Sequence, residues 1–205
     1  MEYIKKYLEQ TSKIAGMLDE NEIKHAIEIL KEVRKNKGRL FILGVGGSAG
    51  NASHAVNDFR KIAGLESYTP TDNVAELTAR VNDEGWNSVF VNWLKTSNLS
   101  SNDVIIVFSV GGGNVEKNIS VNIVSALKLA KQVGAKIIGV VSRDGGYTKE
   151  VADSCILIPV LSQETVTPHA EEFQAIVWHL LVSHPEIQMN EMKWESQSKA
   201  IGGRT

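Results

Sequence analysis

One cysteine, Cys155, stands in the 205 residues, so no disulfide can form within the chain and a disulfide-stapled secreted scaffold is excluded. With only 4 prolines there is no Pro-rich linker at which the chain would divide. No apolar run reaches the roughly 18 residues of a membrane-spanning helix. The opening Met1-Glu2-Tyr3-Ile4-Lys5-Lys6 lacks the apolar core of a signal peptide. Neither sign of charge dominates: 22 Lys and Arg against 24 Asp and Glu leave −2, which argues against a strongly basic nucleic-acid surface. The expectation is a cytoplasmic protein in a reducing compartment, with neither membrane nor nucleic acid as partner. Composition is globular, with 42% apolar and 22% charged residues, and the length suits one domain.

Apolar residues first recur at helical spacing. Tyr3, Ile4, Leu8, Ile14, Met17 and Leu18 form one set; Ile23, Ala26, Ile27, Leu30 and Val33 form a second, with Asn21 as the expected N-cap and Gly38 as the stop. The rhythm then changes to short, nearly unbroken apolar runs: Arg39–Leu43, Asp103–Phe108, Lys136–Val141 and Cys155–Val160. Between and after them lie helical patterns from Ser48 to Ile62, Val74 to Val81, Trp86 to Leu94, Val115 to Ala130 and Pro168 to Val182. Continuous apolar strands alternating with helices predict an α/β three-layer sandwich, a parallel sheet covered on both faces. The expected organisation is one domain over 1–184, its first 37 residues a helical hairpin, and a polar, loosely held tail over 185–205.

Several clusters could carry chemistry. Gly44-Val45-Gly46-Gly47-Ser48-Ala49-Gly50-Asn51 joins a strand to a helix, where glycines admit a close ligand and the helix N-terminus favours an anion. Its G-x-G-x-x-A spacing is also a loose dinucleotide fingerprint, and a ligand-free tight turn is a third reading. Ser109-Val110-Gly111-Gly112-Gly113-Asn114 offers a second strand-end loop whose N–H groups could cradle a phosphate or sugar, with Asn114 equally readable as a helix N-cap. His54 and Asp58, four apart on a helix, share a face as an acid/base pair, half a metal site or a surface ion pair. Glu171, Glu172 and His179 share the last helix. Glu171 and His179 lie eight apart, about 12 Å of rise, so one ion would stretch both side chains. His169 and His184 read as surface residues, Cys155 as core, and Trp86, Trp93 and Trp178 as core or interface.

In order along the chain, Gly44-x-Gly46-Gly47-Ser48, His54-x-x-x-Asp58, Val81-Asn82-Asp83-x-Gly85-Trp86-Asn87, Asp144-Gly145-Gly146 and Thr167-Pro168-x-x-Glu171-Glu172 leading to His179 resemble the sugar isomerase (SIS) fold, of flavodoxin-like type. The resemblance is closer to the phosphoheptose isomerases, which convert sedoheptulose 7-phosphate to a heptose 7-phosphate. It implies a homotetramer with active sites at subunit interfaces, and a carboxylate and a histidine that exchange protons with the sugar. Those would be Asp58 and His179, with His54 and Glu171 completing a set of zinc-type ligands. Gly46, Gly47, Ser48, Asn51, Ser109, Gly111, Gly112, Asn114 and Glu171 would contact the substrate. Other readings of the resemblance are a non-catalytic phosphosugar-binding module and an isomerase of another sugar phosphate. The chain departs from the family in three places. Asp58 is one methylene shorter than the usual glutamate. Glu171 replaces a glutamine, adding a charge that favours a cation and repels an anion. The second loop keeps only Ser109 where the family is rich in Ser and Thr.

Overall fold

Alternation along each strand decides how the sheet is covered. Leu40 and Ile42 join one apolar cluster while Phe41 and Leu43 join another. The same split recurs in Ile106 against Ile105 and in Ile138 against Ile137, so both faces of the sheet are buried. In the computed structural model, which describes residues 2–196, five parallel strands are present: β1 (Leu40–Leu43), β2 (Ser67–Tyr68), β3 (Val104–Ser109), β4 (Lys136–Ser142) and β5 (Ser154–Ile158). Their spatial order is β2-β1-β3-β4-β5. The order reverses direction between β1 and β3, the place where ligands enter open parallel sheets. The expected α/β sandwich is therefore present. The two-residue edge strand β2 went unforeseen, being too short for a period to register.

The helices are α1 (Glu2–Ala15), α2 (Glu20–Lys35), α3 (Gly47–Lys61), α4 (Val74–Glu84), α5 (Val89–Thr96), α6 (Val121–Val133), α7 (Gly146–Val151) and α8 (Val166–Ser183). Helices α2, α3 and α8 cover one face, with Ile27, Leu30, Phe59, Phe173 and Trp178 in its cluster. Helices α5 and α6 cover the other through Phe90, Leu94, Ile123 and Leu127. Three local expectations need correction. Asp19, not Asn21, caps α2, its carboxylate accepting from the Asn21 N–H at 2.8 Å. Val115 and Ile119 are not on α6: they lie exposed in a loop closed by the Asn114–Ile119 bridge. His169 is not on the surface but 3% exposed, its ring 4.5 Å from that of Tyr7.

The segment after α8 is held more firmly than its polarity suggests. Ile187 is fully buried, and Arg34 donates to the carbonyls of Ala63, Glu186 and Ile187. The Met189 and Asn190 N–H groups both donate to the Ile62 carbonyl. Residues 197–205 of the expected tail lie outside the described residues. Helix α1 contrasts with α2: only Ile14 is buried along it, while Tyr3, Ile4 and Leu8 are exposed. Its Tyr7 hydroxyl donates to Glu172 Oε1 at 2.6 Å. Burial first, and then this carboxylate, push the Tyr7 phenol up to about 12.

Candidate active site

Helices α3 and α8 both start at the carboxyl end of the sheet and run side by side on one face, so residues at matching depths pair. At the top, Asn51 Nδ2 donates to the Glu171 carbonyl and to Gln174 Oε1, both at 2.8 Å. The fully buried Gln174 in turn donates to Ser48 Oγ at 3.0 Å. Lower down, Asp58 faces His179. Asp58 Oδ2 lies 3.5 Å from His54 Nε2 and 3.4 Å from His179 Nε2. The indole Nε1–H of Trp178 donates to the same oxygen at 3.2 Å, and Asn57 Nδ2 donates to Oδ1 at 3.0 Å. Asp58 is 7% exposed, whereas the His54 and His179 side chains are 57% and 51% exposed. A largely buried carboxylate thus stands between two accessible imidazoles, an arrangement able to exchange protons with a ligand laid across all three.

The same three side chains offer ligand atoms within 4.8 Å of one another. Two imidazole nitrogens and a carboxylate oxygen form a donor set that zinc accepts. Glu171 does not join this group among the described residues. Its carboxylate lies against the start of α3, where a Cβ on Gly47 would fall 2.4 Å from Oε2. From Gly47 to Asp58 is eleven residues, about 16 Å of helical rise. The expected four-ligand set is therefore a three-residue cluster, with Glu171 removed from it on the glycine rim. Glu172 is turned away to Tyr7.

The second glycine loop has a structural occupation of its own. Ser109 Oγ accepts the Gly112 N–H at 3.0 Å, and the Gly112 carbonyl accepts from the N–H and the hydroxyl of Thr148. Gly112 has φ +69°, and a Cβ there would fall 1.9 Å from the Gly145 carbonyl oxygen. Gly112 thus lets the loop and the start of α7 come into backbone contact and Gly113 takes φ +85°, so these two have a structural reason without a ligand, whereas Gly111 has room for a side chain. Asn114 accepts the Lys117 N–H at 2.8 Å and so caps a turn, not α6. Two residues at the head of α6 escaped sequence reading. Ser120, the N-cap, has φ 47° and makes no side-chain cap bond. Asn122 is fully buried with its Nδ2 unpartnered. The available signal was Ser120-Val121-Asn122 at a helix start, masked because Val115 and Ile119 mimic helical spacing. Cys155, expected as core, is only partly buried and packs against the apolar cluster on the α5–α6 face; burial first, then the charge of Glu22, push its thiol up to about 11.

A family model described as "SIS domain" matches residues 2–142. The phosphoheptose isomerase of a Nitratiruptor species is 31% identical over 157 residues, covering 74% of this chain and 78% of that protein. That of Aliarcobacter butzleri (strain RM4018) is 29% identical over 185 residues, covering 87% and 92%. Among solved structures, the phosphoheptose isomerase GmhA from Neisseria gonorrhoeae superposes with a TM-score of 0.74 at 24% identity, over 88% of this chain and 93% of that one.

Proposed function

We infer from its membership of the SIS domain family, in which it belongs with the phosphoheptose isomerases, that this chain is a phosphosugar isomerase, and that it interconverts sedoheptulose 7-phosphate and a heptose 7-phosphate. The observation that carries the chemistry is the convergence of His54 and His179 on one oxygen of buried Asp58. In the ketose-to-aldose direction Asp58 takes a proton from C1. The released electron pair forms the C1–C2 double bond, and the carbonyl oxygen at C2 receives a proton from His179. The enediol then collapses: the O1 hydroxyl gives its proton to His179, C1 becomes the carbonyl, and C2 takes the proton held by Asp58, which returns both residues to their starting state. Such positioned proton transfers contribute about 10²–10⁴-fold.

As an alternative to that proton transfer, His54, Asp58 and His179 are the residues that would hold a zinc ion, in which case their ligating atoms would not carry the transferred protons. When bound, the ion would polarise the sugar carbonyl. The half-exposed histidines, together with the exposed Tyr3, Ile4 and Leu8 on α1, support a homo-oligomer, a tetramer by resemblance, in which a second copy closes over the site. Among the described residues no helix is long and apolar enough to cross a membrane.

An assay of the purified protein against a panel of ketose phosphates tests the reading. Turnover of sedoheptulose 7-phosphate is expected; saturable binding without turnover of any member would instead make the chain a phosphosugar-binding module. Glu171 gives a sharper expectation. Its carboxylate stands over the positive end of α3, where a phosphate would otherwise gain from the helix dipole. Glu171→Gln keeps the shape and removes the repulsion, so KM for the phosphorylated sugar should fall roughly threefold to tenfold with kcat little changed. An unchanged KM would place the phosphate away from the α3 rim, for example at Ser120 and Asn122.

A further inference from the structure

Three nitrogen-bearing groups meet at Asp58 Oδ2, and they differ in kind. His54 and His179 each donate or accept according to tautomer and charge. The Trp178 indole N–H, 3.2 Å away, donates in every state. Trp178 itself has little freedom. It is 2% exposed, with its ring 5.7 Å from Phe108, 5.3 Å from His54 and 4.8 Å from His179. One rigid ring therefore touches both imidazoles and bonds the carboxylate between them. One turn earlier on α8, Gln174 fixes the head of α3 through Ser48 and Asn51, so the helix carrying Trp178 is itself held in register.

We propose that Trp178 is a positioning residue for Asp58: its indole N–H holds Oδ2 at the meeting point of His54 and His179. The proposal rests on the reading of Asp58 as the proton-transfer group. The need for it follows from the chemistry. Each histidine can donate to Oδ2 or accept in its place according to its tautomer, so neither is a constant donor. Without the indole, the remaining constant donor among the described residues is Asn57 Nδ2 at Oδ1, and a carboxylate that turned toward it would carry Oδ2 away from the two imidazoles. An aspartate is short and cannot recover that displacement by uncoiling a further methylene.

The test uses the full chain with two replacements at position 178: Trp178→Phe, and the tryptophan isostere in which sulfur replaces the indole N–H, which preserves shape and packing. Both should lower kcat about tenfold while KM for sedoheptulose 7-phosphate stays within twofold. Neither should lower the residual rate further when introduced into Asp58→Asn. Parental kcat in the sulfur isostere overturns the proposal even if Trp178→Phe fails to fold. An equal loss in the parental and Asp58→Asn backgrounds also overturns it, because it assigns Trp178 to packing alone. Failure of the Asp58 reading itself is seen separately, as a parental rate in Asp58→Asn with position 178 unaltered.

Discussion

Asp58→Asn should lower kcat by about 10²–10⁴-fold while leaving the fold in place. The side chain keeps its volume, and its amide oxygen can still accept the Trp178 N–H that now reaches Oδ2 at 3.2 Å. What it loses is the ability to take up a proton, the step proposed for Asp58. The surroundings give no reason for collapse: among the described residues the Asp58 carboxylate accepts hydrogen bonds from Asn57 and Trp178 and meets two half-exposed histidines. The melting temperature should therefore change little. KM should also stay close to the parental value, since neither place proposed for the phosphate, the α3 rim or the head of α6, includes Asp58. The measurement is steady-state isomerisation of sedoheptulose 7-phosphate beside a thermal melt. A parental rate in a folded variant removes Asp58 from the mechanism, and a folded variant with a raised KM and unchanged kcat makes it a binding group.

Much of this site was legible before the structure, for reasons particular residues make clear. His54 and Asp58 lie four apart in a well-formed helix pattern, so their shared face needed only helical geometry. The strands were legible because a sheet buried on both faces demands unbroken apolar runs such as that from Val104 to Phe108. What the sequence could not carry was the relative depth of α3 and α8. Glu171 and His179 share one helix, and the strain of joining them at one ion was visible in their eight-residue separation. The structure relieves it by pairing Glu171 with Gly47 and His179 with Asp58. Trp178 was hidden for a different reason: a tryptophan between apolar neighbours looks like core whether or not its N–H has a task. Exposure of Val115 and Ile119 is a case of tertiary context overriding pattern, since the helix cannot begin until the loop after β3 has docked on α7.

A second buried carboxylate, Asp103, is expected to be as important to stability as Asp58 is to chemistry. It is 2% exposed, just before β3, and its oxygens accept from the Arg39 backbone and guanidinium and from the Ser100 N–H and hydroxyl. Arg39 continues the network to the Ser97 and Asn98 carbonyls, so one carboxylate ties β1, β3 and the end of α5 together. Burial alone would raise the Asp103 carboxyl, but the bonds from Arg39 and Ser100 outweigh it and hold the group below its ordinary value. Asp103→Ala strips the Arg39 guanidinium, 27% exposed, of its partner and leaves the Arg39 and Ser100 N–H groups without their acceptor, which together typically cost about 3–5 kcal/mol, read by chemical denaturation at neutral pH. The sign of the pH dependence follows from the depressed value. The contribution is complete above the unfolded carboxylate's pKa, about 3.9, and is lost as pH falls through the lower folded value, so the gap between parent and variant should narrow in acid. Strand alternation puts Arg39 and Asp103 on the sheet face of Phe41 and Ile105, whereas α3 and α8 cover the other. The variant's kcat per folded molecule should therefore match the parent's. A stable Asp103→Ala protein, or one that stays folded yet loses turnover, would contradict this division between the two aspartates.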